Sequence, residues 1–482
     1  MPPRSAQLLA GITAAAAALR FSTLGVQSYW FDEATTVHLL RMDLGGMLGA
    51  IPDSESTPPL YYALAWLWSK VFGVSEWGLR SFSALIGTAT VPVVYALGRR
   101  TISERAGLVA AALTAASPLL VWYSQEARAY ALLVLLCALA TLLAIDADER
   151  PRPRAFVLWA LVSALALTTH YFAVFIVAPL ALWLLRSRRD RATLAAVAAL
   201  GVVGLALLPL AADQADGVRA DFIQGTSLAQ RIVEVPKQFL VGYAAPGDIP
   251  ALIVAALLAL YGAWLLFRRV DIAERRRALT LAALGAVAIG VPLLLAIVGV
   301  DYLITRNVIA AWVPLFAALA AGFAFDGLGR LAAIGLCVIG VALTIAINFD
   351  TEYQRDDWRG VAESLPPPTG RRALVVSPVN GLVPLEYYLP GSRPLPSTAN
   401  TTISEIAAVG LVRSNEGGRR NDPPRGPTRP APPGFQPVRR VEAGTFTVVL
   451  YRSAQPQRLP ASALYGVSFD PKAALVTQPA SR

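Results

Sequence analysis

Two carboxylates stand side by side at Asp32-Glu33, directly behind the aromatic run Tyr29-Trp30-Phe31 and just past the first strongly apolar stretch. An ionised group close to hydrocarbon is costly unless it is paired, hydrated or at work. A carboxylate at such a place can act as general base for an acceptor hydroxyl or anchor it. The structural alternative is that Asp32 caps the start of an interfacial helix. Neighbouring helical positions project about 100° apart, so the two carboxyls need not share one task. Glu126 and Arg128 flank a second short polar turn, either as a local ion pair or with Arg128 turned to a phosphate or to Asp32. His170 interrupts an otherwise apolar stretch, where a lone histidine is more often a satisfied structural group. Arg306 opens a late apolar run. The arginine fork suits a lipid-linked phosphate at headgroup depth; plain snorkelling is the alternative.

Several chemistries are excluded. No P-loop, GxGxxG, HExxH, GxSxG or CxxC pattern occurs, which argues against a nucleotide-driven pump and the common hydrolase designs. Two histidines make no His-rich metal site. Cys137 and Cys337 both lie within apolar runs and read as packing residues rather than a disulfide or metal pair.

The elements that must carry these groups are membrane spans. Of the 482 residues, 55% are hydrophobic and only 15% charged, against roughly a quarter charged in a soluble domain. The mean hydropathy is +0.52. Apolar runs of about 17–25 residues recur, the length that crosses a bilayer core. Spans are expected at 6–26, 79–98, 106–122, 130–145, 192–210, 249–267, 278–298, 308–325 and 331–347. The long run 155–185 is broken at Thr168-Thr169-His170-Tyr171 and reads as a hairpin of two short spans, making about eleven in all. Residues 27–78 are too polar and proline-punctuated to span, and Leu60–Trp68 suits a helix lying in the interface. The first run reads as a retained helix, not a cleaved signal.

The net charge of +10 comes almost entirely from arginine. With a cytoplasmic N-terminus, the clusters at 99–105, 150–154, 186–191, 268–277 and 330 all fall in short cytoplasmic loops, as the positive-inside rule requires. The Asp-Glu pair, Glu126, Arg128, His170 and Arg306 then gather on the outer face, as does the C-terminal region. This distribution fits anionic lipid and leaves no basic stripe for nucleic acid. Residues 348–482 differ in kind: Ala373–Ser377 and Thr445–Tyr451 read as strands, and 357–365 as a short helix. They form a small α/β domain in which the Pro/Arg/Gly-rich stretch 414–438 is expected to be disordered.

In order along the chain, Trp30-Phe31-Asp32-Glu33-Ala34, Pro58-Pro59-Leu60-Tyr61-Tyr62, Tyr123-Ser124-Gln125-Glu126-Ala127-Arg128-Ala129-Tyr130 and His170-Tyr171 resemble the bacterial membrane glycosyltransferases of the protein-mannosyltransferase/aminoarabinose-transferase type, members of the GT-C superfamily. Arg306-Asn307-Val308 leading to Pro314, and Asp356-Asp357-Trp358-Arg359-Gly360, are similar to the same group. The likeness is strong over 20–185, weaker over 186–347 and thin beyond 390. It implies an all-α polytopic membrane domain over 1–347, with outer loop 27–78 carrying interfacial helices and the outer α/β domain following. It implies an inverting enzyme that moves a hexose or pentose from a polyprenyl phosphate to an acceptor hydroxyl at the extracytoplasmic face. The acceptor would be a glycolipid, a polysaccharide or a protein.

By the resemblance, Asp32 is the catalytic carboxylate and Glu33 its acidic neighbour. Glu126 and Tyr61 help build the site, while Arg128, Arg306, His170 and Tyr171 hold the donor and its phosphate. Some relatives place a second aspartate, tied to a metal, where this chain has Glu126, so a divalent ion on Asp32 and Glu126 is an open expectation. Two rivals come from other classes: a lipid or sugar-lipid transporter, and a scaffold whose outer domain binds a cell-envelope polymer. The chain shows no internal repeat of the kind common in transporters, and its polar groups gather on one face.

Overall fold

The computed structural model describes all residues except 1, 216–222, 224, 412–425, 428, 471 and 481–482. They fall into two units: Met1–Leu24 with Leu39–Ala346, and Gly25–His38 with Ile347–Arg482.

The first unit is helical. Among the described residues, six helices are long and apolar enough to cross a membrane: α5 (Glu76–Thr101), α8 (Tyr130–Glu149), α11 (Arg191–Ala215), α13 (Asp248–Arg268), α14 (Ile272–Ile297) and α16 (Gly327–Phe349). A bent pair, α6 (Glu104–Ala116) and α7 (Pro118–Ser124), adds a seventh candidate. Helix α1 (Pro3–Phe21) and three shorter apolar segments, Pro153–Thr169, Tyr171–Ser187 and Ile309–Phe323, lie where the other four spans are expected, but they fall short of the six in length or hydropathy. The hairpin break falls at His170, where α9 (Pro153–Thr169) ends and a short 3-10 turn leads into α10 (Val174–Ser187). Large apolar side chains such as Val202, Leu205, Leu257 and Leu260 stand exposed along α11 and α13, as lipid-facing residues do.

The 59° bend between α6 and α7 was not foreseen in the sequence, which reads 106–122 as one straight span. Pro118 has no N–H to give the carbonyl four residues back, so Thr114 loses its helical partner. The fully buried Arg20 of α1 takes over. Its guanidinium donates to the carbonyls of Thr114 and Ala115, each at 3.0 Å, and to Ser124 Oγ at 3.2 Å. Nearby, α5 and α6 approach closely at Gly98 and Gly107. A Cβ on Gly98 would lie 2.9 Å from the Gly107 Cα, and one on Gly107 would lie 2.6 Å from the Tyr95 carbonyl oxygen.

The second unit holds a six-stranded sheet of order β2-β6-β1-β3-β5-β4. Its strands are β1 (Arg372–Ser377), β2 (Arg393–Pro394), β3 (Asn400–Leu411), β4 (Phe435–Glu442), β5 (Phe446–Pro460) and β6 (Ala474–Gln478). β1 and β3 are parallel, and the other pairings antiparallel. Side chains alternate across β1: Leu374 and Val376 join Trp358, Val361 and Leu385 on one face, while Ala373 and Val375 join Ile406, Ala461 and Leu464 on the other. A buried ion cluster closes one end. Arg372 and Glu405 are both fully buried, and Glu405 accepts from Arg372 at 2.7 Å, Arg452 at 2.9 Å and Thr369 Oγ1 at 2.6 Å.

The expected helix at 357–365 is α17 (Trp358–Ser364). Of the stretch expected to be disordered, 414–425 and 428 lie outside the described residues. Its end is corrected: β4 starts at Phe435, because Phe435 packs into the sheet core and the strand pairs along β5.

Candidate functional site

The acidic pair belongs to the second unit. Helix α2 (Phe31–Leu40) carries Asp32 and Glu33 in its first turn. Asp32 is thus inside the helix, not its cap, and the positive end of the helix dipole favours a carboxylate there. Glu33 is fully buried and Asp32 half-buried. The segment before the helix is fixed by its own unit: Tyr29 N–H donates to Tyr388 Oη at 2.7 Å, and Ser28 Oγ to the Asp356 carbonyl at 2.6 Å.

The first unit gathers most of the other predicted residues. Arg128 lies after α7, in the turn before α8, and makes a two-pronged ion pair with Glu55 (Nη1 to Oε1 2.9 Å, Nη2 to Oε2 2.8 Å). Glu55 is 2% exposed and Arg128 8%, so the pair is shut away from solvent. Neither would be stable there alone, and the matched forks satisfy both. Tyr62 of α4 (Leu60–Phe72) lies under the Arg128 guanidinium, 5.8 Å from ring centroid, with its hydroxyl 3.0 Å from Thr57 Oγ1. Burial, only partly offset by the Arg128 charge, pushes the Tyr62 hydroxyl well above its usual range, so it stays protonated.

His170 sits among rings, 5.7 Å from Tyr130 and 5.3 Å from Phe172. Its Nδ1 accepts the Phe172 N–H at 3.3 Å. Burial first, then the charges of Arg128 and Arg306, pushes the imidazole down to about 3. His170 is therefore neutral at physiological pH, and both arginines lie within electrostatic reach of it. Arg306 is half-buried in a turn before α15 (Trp312–Phe323). The chain leading to that turn is clamped by Arg231 of α12 (Leu228–Val241), which donates to Asp301 Oδ1 at 2.7 Å and to the Leu303 carbonyl at 2.8 Å. Hydrogen bonds from Arg231 hold the Asp301 carboxyl below its usual range. Glu126 is buried beside Arg128, and Tyr123 lies within reach of Glu126 and Arg306. Tyr171 donates to Gln214 Oε1 at 2.7 Å, and Gln214 in turn donates to the carbonyls of Ile51 and Thr57. That bond ties the loop holding Glu55 to the hairpin turn.

Tyr61 is fully buried, edge-on to Tyr62 at 5.6 Å and with its hydroxyl 3.4 Å from Ser83 Oγ. The first unit thus brings together Glu126, Arg128, His170, Tyr171 and Arg306, with Tyr61 one ring away; Asp32 and Glu33 lie in the second. Glu55, Gln214, Arg231 and Asp301 went unread. Glu55 lies three residues before Pro58-Pro59, but nothing in the sequence pairs it with an arginine 73 residues on. As for a metal, no cluster of three or more His, Cys, Asp or Glu side chains that could hold one occurs among the described residues.

Residues 56–212 match the family model described as dolichyl-phosphate-mannose-protein mannosyltransferase. This segment of the chain is similar to that family. The matched segment contains Tyr61, Glu126, Arg128, His170 and Tyr171. The fold is that of ArnT from Cupriavidus metallidurans. Its apo structure gives a TM-score of 0.52 at 12% identity, over 80% of this chain and 85% of that one. The structure of the same protein bound to undecaprenyl phosphate gives 0.50 at 14%, over 79% and 84%. A lower score, 0.48 at 13% identity, relates the chain to the Archaeoglobus fulgidus oligosaccharyltransferase, over 75% of this chain and 57% of that one. No curated protein matches by sequence. The likeness to these structures is one of fold, that of a multi-pass membrane protein.

Proposed function

We propose that the protein is an inverting glycosyltransferase that moves a hexose or pentose from a polyprenyl phosphate to an acceptor hydroxyl at the extracytoplasmic face. The observation that carries this reading is the buried His170, within electrostatic reach of both Arg128, which like it lies inside the family-matched segment, and the half-buried Arg306, which lies well beyond that segment. A polyprenyl-phosphate sugar brings its own activated leaving group, so no nucleotide site is needed. The acceptor O–H gives its proton to Asp32, its oxygen bonds to the anomeric carbon, and the bond from that carbon to the phosphate oxygen breaks. Single displacement inverts the centre. Asp32 is assigned the base because it is the half-buried member of the pair, whereas Glu33 is fully enclosed.

Arg306 is assigned the departing phosphate. Arg128, already forked onto Glu55, adds positive potential and fixes the wall that carries Tyr62. His170 uses Nδ1 for the Phe172 amide, so its remaining ring nitrogen is the donor side. Tyr171 and Tyr61 shape the donor end, and Glu126 sets the local charge. No step is routed through a metal. The N-terminus is assigned to the cytoplasm and the sheet domain to the outside, on the arginine clusters of the short loops. The acceptor class is a glycolipid, polysaccharide or protein hydroxyl. The test is transfer by the purified protein in lipid from a panel of polyprenyl-phosphate sugars to a crude envelope acceptor. Transfer should need Asp32 and weaken in Arg306→Gln. Transfer that survives loss of Asp32 would remove the base assignment.

A further inference from the structure

We infer that the Asp-Asp-Trp-Arg-Gly run of the C-terminal domain, with Tyr388, is a positioning device that fixes the chain entering the Asp32 helix. The inference rests on the reading of Asp32 as the base. Four residues just ahead of α2 are tied to this domain through directed polar bonds. Both terminal nitrogens of Arg359 donate to the Gly25 carbonyl at 3.2 Å. The Arg355 N–H donates to Gln27 Oε1 at 3.0 Å. Ser28 Oγ donates to the Asp356 carbonyl at 2.6 Å and accepts the Trp358 N–H at 3.0 Å. Tyr29 N–H donates to Tyr388 Oη at 2.7 Å, and the Tyr29 ring lies edge-on to Tyr387 at 5.3 Å.

Each member of the motif has a task in this clamp. Asp356 offers its carbonyl. Asp357 caps α17 by accepting the Gly360 N–H at 2.9 Å. Trp358 gives its N–H to Ser28 and buries its ring in the sheet core. Arg359 reaches Gly25. A Cβ on Gly360 would lie 2.2 Å from the Asp357 carboxylate, so a larger residue there would have to displace that cap. Gln27, Ser28 and Tyr29 are all buried, so these bonds form away from competing water. Apolar packing alone would hold the segment against the domain but leave its direction loose. Hydrogen bonds to the Gly25 carbonyl and the Tyr29 amide set the backbone itself, and Asp32 follows three residues later. The domain therefore acts on the reaction through the placement of Asp32.

The test uses full-length protein in lipid with Tyr388→Phe, Ser28→Ala, their double variant and Ser28→Thr, which keeps the hydroxyl. Turnover and amide hydrogen exchange over residues 27–38 are both measured. Expected is a fall in kcat of about tenfold for each single variant and more for the double, since small misplacements of a reacting group cost up to about a hundredfold. Donor KM and the unfolding temperature should stay near wild type, Ser28→Thr should recover the rate, and exchange over 27–38 should speed up. A double variant with wild-type kcat overturns the inference, as does a fall in kcat that tracks a loss of folded protein. Absence of transfer in the wild type counts against the proposed reaction instead; exchange then decides the clamp, and unchanged exchange over 27–38 overturns it.

Discussion

The Glu55–Arg128 pair gives a sharp quantitative test of the helical unit. Glu55→Gln keeps the shape but replaces one acceptor oxygen with an N–H₂ that faces the Arg128 fork. Two charge-assisted bonds, at 2.9 and 2.8 Å, become at most one. Arg128, with its side chain 10% exposed, loses the Glu55 charge. Breaking a buried pair in this way costs about 3–5 kcal/mol. The surviving neutral bond and the Tyr62 ring offset part of that, so about 3 kcal/mol is expected. Arg128→Met takes the guanidinium away from the buried Glu55 carboxylate and should cost at least as much. The double variant removes both charges and should return to within about 1 kcal/mol of wild type. Reversible unfolding in mixed micelles reads all four corners of the cycle. A coupling of at least about 2 kcal/mol is expected. Single effects that add to within about 0.5 kcal/mol would refute the idea that these groups depend on each other.

Three further outcomes are expected. Arg20→Met should lower stability by about 3 kcal/mol, since it strips the Thr114 and Ala115 carbonyls of buried donors at about 1–3 kcal/mol each, and unfolding within 0.5 kcal/mol of wild type (about the noise of such measurements) would show that the bend satisfies itself. For Glu405, burial acts to raise the carboxyl, but hydrogen bonds from Thr369, Arg372 and Arg452 and the Arg372 charge outweigh it and leave it below its usual range. Its contribution is thus complete above the unfolded carboxylate range and lost as pH falls through the lower folded value; acid unfolding of the sheet domain should move to higher pH in Arg372→Met, and an unchanged acid limb would contradict this. On the proposed reaction, Arg306→Gln should cut kcat/KM for the donor at least about tenfold with the fold intact, read by steady-state transfer, and an unchanged value would release Arg306 from the phosphate.

How much of this was legible depended on the range of the signal. Span-length apolar runs, the hairpin break at His170 and the strands around Leu374 and Val448 rest on local patterning, so the sequence carries them. The bend at Pro118 is also local, but reading it needs a partner, Arg20, more than ninety residues away, to satisfy the freed carbonyls. β3 escapes because Ala407, Ala408 and Gly410 give it little strand character of its own; it is a strand because β1 and β5 flank it. Candidate site residues follow a similar rule. Asp32, Arg128, His170 and Arg306 stand out as polar groups beside apolar runs. Glu55 and Gln214 look like ordinary loop and helix-end residues, and their importance exists only in the folded contacts with Arg128 and Tyr171. Arg231 is hidden in the same way, since its task is to hold Asp301 and the Leu303 carbonyl ahead of Arg306.

The central claim is Asp32-dependent glycosyl transfer, and the most direct measurement is turnover by purified wild-type and Asp32→Asn protein in lipid, with polyprenyl-phosphate sugars and an envelope acceptor. The account predicts transfer from one donor by the wild type, and loss of it in Asp32→Asn with unfolding unchanged. Wild-type turnover by Asp32→Asn, or no transfer from any donor by verified folded protein, would contradict it.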